Sequence, residues 1–386
     1  MVNDSSNSKR TVKYIAFYSD DADRYPRSLA ALDKIRYVCE AIENAGFRVE
    51  LLSLCDVSLN GVKQSGQSKL LNHSQLFLPK TFVKNNLLKK IQHRLFRDRW
   101  RYLFLNKHID NGDVILAYHS LPVLRYVSRI KKKKNVKLVL ELEEVYSRLR
   151  KTGLKESGKE EALINLSDGF LFSSEVLQDK YILDSCSKPS AVINGVYHVN
   201  RVATKDDRLE RIVYAGGFAP ERGVDAVIKL SQFLPPNYSI HILGSGSKEE
   251  IERVVNLISS VKSDQCCSVV FHGEKRGNEY TSFLQSCDIG ICLQDPADDF
   301  NKYEFPSKIF SYLSNGLYVV STDTIQLQKS PIYDYITIST SSKLEDIAKT
   351  IKEMDADELK NPAEVLEYLD KKAIQDVKQL MEAFYE

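Results

Sequence analysis

Three short segments in the second half of the sequence carry residue types suited to holding a phosphorylated ligand. The richest runs Tyr303-Glu304-Phe305-Pro306-Ser307-Lys308-Ile309-Phe310-Ser311-Tyr312-Leu313-Ser314-Asn315-Gly316. Pro306 suits a helix start, Ser307 is able to cap exposed amides, and Lys308 adds a full positive charge. Ile309, Phe310 and Leu313 supply apolar contacts, and Asn315-Gly316 ends the helix. Such a helix start is expected to hold a diphosphate, with Glu304 one step upstream to accept hydroxyl groups. The plainer reading is a capped helix with surface charges. In the second segment, Ala215 to Gly223, Gly216 and Gly217 let backbone amides approach a ligand, and Arg222 adds a cation before the next helix. The third, Leu243-Gly244-Ser245-Gly246, begins like a dinucleotide fingerprint. Glu249 stands where its third glycine belongs, which disfavours a nicotinamide site and leaves a tight turn beside a nucleotide.

These segments need a scaffold that brings strand ends together. Apolar runs at 12–18, 48–54, 114–118, 136–140, 169–172 and 191–193 read as strands. Amphipathic helices alternate with them, the first with Leu32, Ile35, Val38 and Ile42 on one face and Gly46 at its end. Residues 55–112 interrupt the rhythm, polar and loop-like at first, then basic and aromatic. A charged stretch near 201–210 reads as a linker, and a second alternation follows with strands at 212–215, 240–243, 269–272, 289–293 and 318–321. The pattern predicts an α/β protein of two Rossmann-like, doubly wound domains facing a central cleft, with ligands at the carboxyl ends of the strands. The boundaries are 1–200, 201–360 and a C-terminal helix at 361–386 expected to pack back on the first domain.

Composition narrows the function classes. The 386 residues suffice for two cores, and 43% hydrophobic with 27% charged residues is ordinary globular usage. A net charge of +2 gives no general attraction to nucleic acid, so none is expected as a partner. Seven scattered cysteines without a Cys-x-x-Cys pair read as reduced, buried thiols of a cytoplasmic protein. The polar N-terminus reads as neither signal peptide nor membrane span. Asp21, Asp23, Asp295, Asp298 and Asp299 lack accompanying His or Cys ligands, so no metal is expected. His241 and His272, inside strands, read as packing residues; His119, at a strand's carboxyl end, is the better functional candidate.

The segment 84–105 stands apart. Lys90, Arg94, Arg97 and Arg101 share one helical face, with Leu88, Ile91, Leu95 and Tyr102 roughly opposite and Trp100 nearby. The run Arg129 to Lys134 adds further cations. A basic amphipathic helix of this kind is expected to meet an anionic membrane surface peripherally, at its cytoplasmic face; a solvated helix packed by its apolar side is the alternative.

Taken in order, Gly216-Gly217 with Arg222-Gly223, Leu243 to Gly246, Phe271-His272-Gly273-Glu274-Lys275-Arg276 and Phe305 to Gly316 resemble the retaining GT-B glycosyltransferases of family four, in particular bacterial polysaccharide enzymes with a Pro-Ser-Lys helix start. Looser likeness in the first half lies at Ala117 to Ser120, Leu140 to Ser147 and Val192 to Val196. The resemblance implies a hexosyltransferase-type enzyme moving a sugar from a nucleotide sugar, a UDP-sugar by preference, to a glycan or lipid-linked glycan acceptor with retention. It implies that Arg222, Lys308 and Glu304 are catalytic. The donor would be held by Gly216, Gly217, Arg222, Gly244, Gly273, Glu274, Lys275, Phe305, Pro306, Ser307, Lys308 and Ser311. His119, Glu143, Glu144 and Asp20 would lie on the acceptor side. No cofactor beyond the donor is implied.

The sequence departs from the family in three places. Tyr303 and Ser311 stand where the family has paired glutamates, Gly217 where it has a phosphate-binding arginine, and the first loop from Ser19 to Asp23 is acidic rather than glycine-bearing. Arg222 takes the place of the usual lysine. Ser311 and Gly217 leave open a catalytically weakened nucleotide-sugar-binding partner subunit; a GT-B nucleotide-sugar epimerase, which would need no acceptor, is a separate alternative.

Overall fold

The structure, a computed structural model, describes residues 10–19, 29–55, 66–79, 87–143, 154–183, 188–200, 209–298 and 305–385. Asp20, Glu144 and Glu304 lie outside the described residues, as does most of the expected linker. The chain divides into two compact units. The first comprises Met1–Ser173, Leu177–Ile193 and Lys372–Glu386; the second, Ser174–Val176 and Asn194–Lys371.

The first unit is built on a sheet of β1 (Thr11–Ala16), β2 (Arg48–Ser53), β3 (Gly66–Lys69), β4 (Gln75–Leu78), β5 (Val114–Tyr118), β6 (Lys137–Leu142), β7 (Gly169–Phe172) and β8 (Ser190–Val192), in the order β3-β4-β2-β1-β5-β6-β7-β8. Only β3 runs antiparallel, paired to β4 at the edge. The central strand β5 is apolar because both of its faces are covered: Val114, Ile115, Leu116 and Ala117 are fully buried. The helix Leu29–Asn44 buries Leu32, Ile35, Val38 and Ile42, and Gly46 follows it at φ 98. The chain end closes this unit. Tyr385 stacks on Phe47 at 5.6 Å between centroids and donates its hydroxyl to the Thr11 carbonyl at 2.6 Å.

The second unit carries β9 (Arg211–Gly217), β10 (Ser239–Ser245), β11 (Ser268–Gly273), β12 (Ile289–Cys292), β13 (Tyr318–Thr322) and β14 (Thr337–Ser339), all parallel, in the order β11-β10-β9-β12-β13-β14. Strand order reverses between β9 and β12, and in the first unit between β1 and β5. In a doubly wound sheet a ligand crevice opens at the carboxyl ends of such a pair.

Several expectations are corrected. The first part of 55–112, expected as loop, holds the β3–β4 hairpin; the basic helix expected at 84–105 is the helix Leu87–His108. Gly244 and Ser245 do not turn: they extend β10, paired with Gly216 and Gly217. Arg101 does not share a solvated basic face. It is 5% exposed, with its guanidinium 5.1 Å from the Phe17 ring centre. The lysine-rich run is also largely engaged. Arg129 lies 4.0 Å from the Tyr102 ring centre, Lys131 pairs with Asp168 at 2.5 Å, and Lys134 donates to the Asn106 carbonyl at 2.8 Å. Those cations clamp the helix Leu87–His108 and the strand after the run, because their aliphatic stems cover apolar surface while their heads find carbonyls and carboxylates. No helix among the described residues is long and apolar enough to cross a membrane.

Candidate functional site

The second unit gathers its chemistry at the carboxyl end of β9. Tyr214, fully buried in that strand, donates its hydroxyl to the Gly217 carbonyl at 2.6 Å. Burial raises its phenol above the ordinary range, against the opposing pull of Lys308. The Lys308 ammonium stands 4.1 Å from the Tyr214 ring centre and donates to the Arg222 carbonyl at 3.1 Å. A side chain added at Gly216 would meet Lys308 Nζ at 3.6 Å. Lys308, Gly216, Gly217 and the turn Pro220–Arg222 therefore form one cluster, although 86 residues separate Arg222 from Lys308.

Tyr312 fixes Lys308 in place. The helix Lys308–Ser314 lays this ring on Gly290 of β12, where any Cβ would fall 2.2 Å from the ring. The Tyr312 phenol accepts the Ala215 backbone N–H at 2.9 Å, tying the helix to the end of β9. Phe310 and Phe305 stack at 5.3 Å on the other side. Phe305 and Pro306 are buried, so they pack the segment. Ser307 is exposed, already helical at φ −56, and makes no side-chain cap, contrary to the expected capping role. The Ile309 and Phe310 N–H groups of the following turn donate to the Pro306 and Ser307 backbone carbonyls instead.

Ser311 meets a residue the sequence did not single out. Its hydroxyl lies 3.0 Å from the Tyr280 phenol oxygen, on the helix Gly277–Gln285. At the end of β11, Gly273 has φ 68 with open space where a Cβ would stand. Glu274 accepts two bonds from Arg276, at 3.2 and 3.1 Å, and Lys275 pairs with Glu279. His241 and His272 bond one another at 3.0 Å between β10 and β11. Burial, then the charges of Arg211 and His272, pushes His241 down to about 4.

Gly244 has a structural task. At φ 145, a Cβ there would lie 1.7 Å from the Gly216 carbonyl oxygen, so glycine lets β10 close on β9. Gly217 differs, with nothing within 4 Å of its Cβ position.

In the first unit, His119 follows β5 but is fully enclosed, its Nε2 3.1 Å from Glu160 Oε1 on the helix Leu154–Leu166. Glu143, partly exposed, pairs with Lys34 at 3.2 Å, and Lys34 also donates to the Ile193 carbonyl at 2.6 Å. Beneath it, Glu141 accepts a hydrogen bond from the Tyr14 hydroxyl. Burial, then the Glu143 charge, raises the Glu141 carboxyl well above the usual range and favours its neutral form. Lys34, Glu141, Glu160, Tyr214 and Tyr280 were not legible as site residues: each sits in an ordinary strand or helix pattern. Among the described residues, no group of three or more His, Cys, Asp or Glu is arranged to hold a metal.

No protein-family profile and no curated protein sequence matches the chain. Solved structures do. The chain is similar to an α,α-trehalose-phosphate synthase (UDP-forming) from Burkholderia xenovorans in complex with glucose-6-phosphate, at 10% identity and TM-score 0.64, covering 98% of this chain and 100% of that one. It is similar to HepE from Anabaena in complex with UDP and glucose, at 12% identity and TM-score 0.66, over 97% and 99% of the two chains. Sucrose-phosphate synthase from Thermosynechococcus elongatus matches at 13% identity and TM-score 0.62, over 97% and 96%. The α/β architecture of two parallel-sheet units is thus the GT-B fold of these glycosyltransferases.

Proposed function

We propose that this chain is a glycosyltransferase that moves a sugar from a nucleotide sugar, a UDP-sugar, to a glycan or lipid-linked glycan acceptor with retention of configuration. The observation that carries the reading is the Lys308 cluster: a cation fixed over Tyr214 and against the Arg222 carbonyl, beside the open backbone of Gly217. UDP and glucose bound to HepE, a structure of the same fold, support this choice of donor.

Cleavage of a sugar–diphosphate bond places growing negative charge on the leaving diphosphate. A cation already positioned by neighbouring groups stabilises that charge without reorganising during the step. Lys308 and Arg222 take this role, with Gly216 and Gly217 lining the approach and Ser307 exposed beside Lys308. The same two cations stand in for a divalent metal, so a chelator leaves the rate unchanged. Ser311 with Tyr280 faces the nucleoside, and Gly273 to Lys275 the base. Glu304, one residue before Phe305, accepts hydroxyls of the transferred sugar. On the first unit, Glu143 receives the acceptor, and the enclosed His119 orients the helix that bears Glu160. Retention follows the resemblance of the motifs, not the spacing of any residue pair.

A thermal-shift series with nucleoside diphosphates and nucleotide sugars tests the donor assignment. UDP and a UDP-sugar are expected to raise the melting temperature of the wild type and much less that of Lys308→Ala. Equal shifts in both proteins would remove Lys308 from the site, and no shift with any nucleotide would sink the proposal.

A further inference from the structure

The helix Leu87–His108 carries seven Lys and Arg residues against one acid, Asp98. Asp98, half exposed, reaches toward the helix Leu121–Lys131, accepting bonds from Arg125 at 3.1 Å and Tyr126 at 2.7 Å, with Arg97 3.9 Å away. Arg101, Tyr102 and Leu105 are buried on that same side. The opposite side is unlike an ordinary solvated face. Phe96 is 42% exposed and Leu103 49%, and Trp100, between them, lies 6.2 Å from Phe96 ring to ring. Positions 96, 100, 103 and 107 fall at helical spacing i, i+4, i+7 and i+11, so they form one stripe about 16 Å long. Arg99 and Lys107 are exposed on it, and Arg97 flanks it with 43% of its side chain exposed.

Large apolar side chains exposed in a row on one helix call for a covering surface. Here the chemistry of that surface is set by what surrounds them. The apolar stripe bears cations along its length, and the helix's one carboxylate, Asp98, lies on the other side of the helix beside Arg97, Arg125 and Tyr126. We propose that this outward face docks on an anionic lipid surface, with Phe96, Trp100 and Leu103 entering the headgroup–acyl boundary and Arg97, Arg99 and Lys107 meeting lipid phosphates. The face differs from the one that charge periodicity suggested. The apolar stripe faces outward, and Arg101, expected among the membrane-facing cations, is buried. The inference concerns the first unit alone and stands or falls independently of the donor assignment.

Trp100 is the only tryptophan in the chain, so intrinsic fluorescence reports this face directly. The full-length protein is titrated, without nucleotide, with vesicles of phosphatidylcholine alone or mixed with phosphatidylglycerol. The anionic vesicles are expected to blue-shift the emission, protect it from acrylamide and sediment the protein, with all three effects weakening as salt rises. The double variant Phe96→Ser, Leu103→Ser, whose fold is checked by circular dichroism, is expected to bind about tenfold more weakly or worse. Absence of a shift and of sedimentation with anionic vesicles would overturn the inference. So would undiminished binding by a folded double variant, or a lipid-free shift that grows with protein concentration, which would assign the face to a second copy.

Discussion

Lys308 Nζ lies 4.1 Å from the centre of the Tyr214 ring while donating to the Arg222 carbonyl oxygen at 3.1 Å. The ammonium thus has two fixed neighbours from a strand and a turn far away in sequence. One stabilises the charge through the ring's quadrupole and the other orients an N–H.

Replacing Lys308 by Ala removes a cation from the proposed leaving-group site. Turnover is expected to fall by roughly 10²–10³, the scale of losing one preorganised transition-state contact. Stability should change by only about 1 kcal/mol, because the side chain is half-buried and its contacts are polar. Steady-state kinetics beside a denaturation curve separates the two effects. Tyr214→Phe keeps the ring under the ammonium and loses the hydroxyl's bonds to the Gly217 and Arg222 carbonyls, so it should retain most activity at a cost of about 1 kcal/mol in stability.

Gly244 and Gly217 are expected to respond in opposite ways to a methyl group. Gly244→Ala puts a Cβ 1.7 Å from the Gly216 oxygen at a left-handed φ, and should cost roughly 3 kcal/mol or more. Gly217→Ala meets no protein atom within 4 Å, so its stability should stay within about 0.5 kcal/mol of wild type. Its affinity for UDP, by calorimetry, should nonetheless drop. Unchanged affinity would place the ligand elsewhere.

His241 makes stability depend on pH. Its folded value, about 4, lies below the ordinary 6.5. As pH falls below 6.5 the unfolded chain takes up this proton while the folded chain resists it until near 4. The contribution is therefore complete above pH 6.5 and lost between 6.5 and 4. Urea melts across that window should flatten for His241→Gln.

The contact between His119 and Glu160 is almost wholly enclosed. Removing one partner strands a buried polar group, so His119→Ala should cost about 1–3 kcal/mol from the lost contact, before any cavity term. Glu160→Gln, which keeps a hydrogen-bonding partner, should cost less in the same chemical-denaturation assay.

Much of the scaffold was legible because parallel strands covered on both faces are written as short apolar runs. Val114 to Tyr118 and Gly169 to Phe172 begin and end where those runs do. The hairpin at Gly66–Lys69 was not legible, since Gly-Gln-Ser-Lys at a sheet edge has no apolar period. Gly244 looked like a turn because its reason lies on another strand, in the approach of Gly216. Lys308 could be singled out by its motif, but the Tyr214 ring beneath it could not, since tyrosine in a buried strand is an ordinary core residue. Arg101 was misplaced for a related reason. Helical periodicity sorts side chains by angle, and only the fold shows that Phe17 covers that angle.

The central claim is sugar transfer, and it is tested most directly by supplying the purified protein with a UDP-sugar labelled in the sugar, together with a lipid and glycan extract. The account predicts label in an acceptor product, stoichiometric release of UDP, and loss of both with Lys308→Ala. UDP bound by the wild type with neither labelled product nor released UDP, across a panel of UDP-sugars, would contradict it.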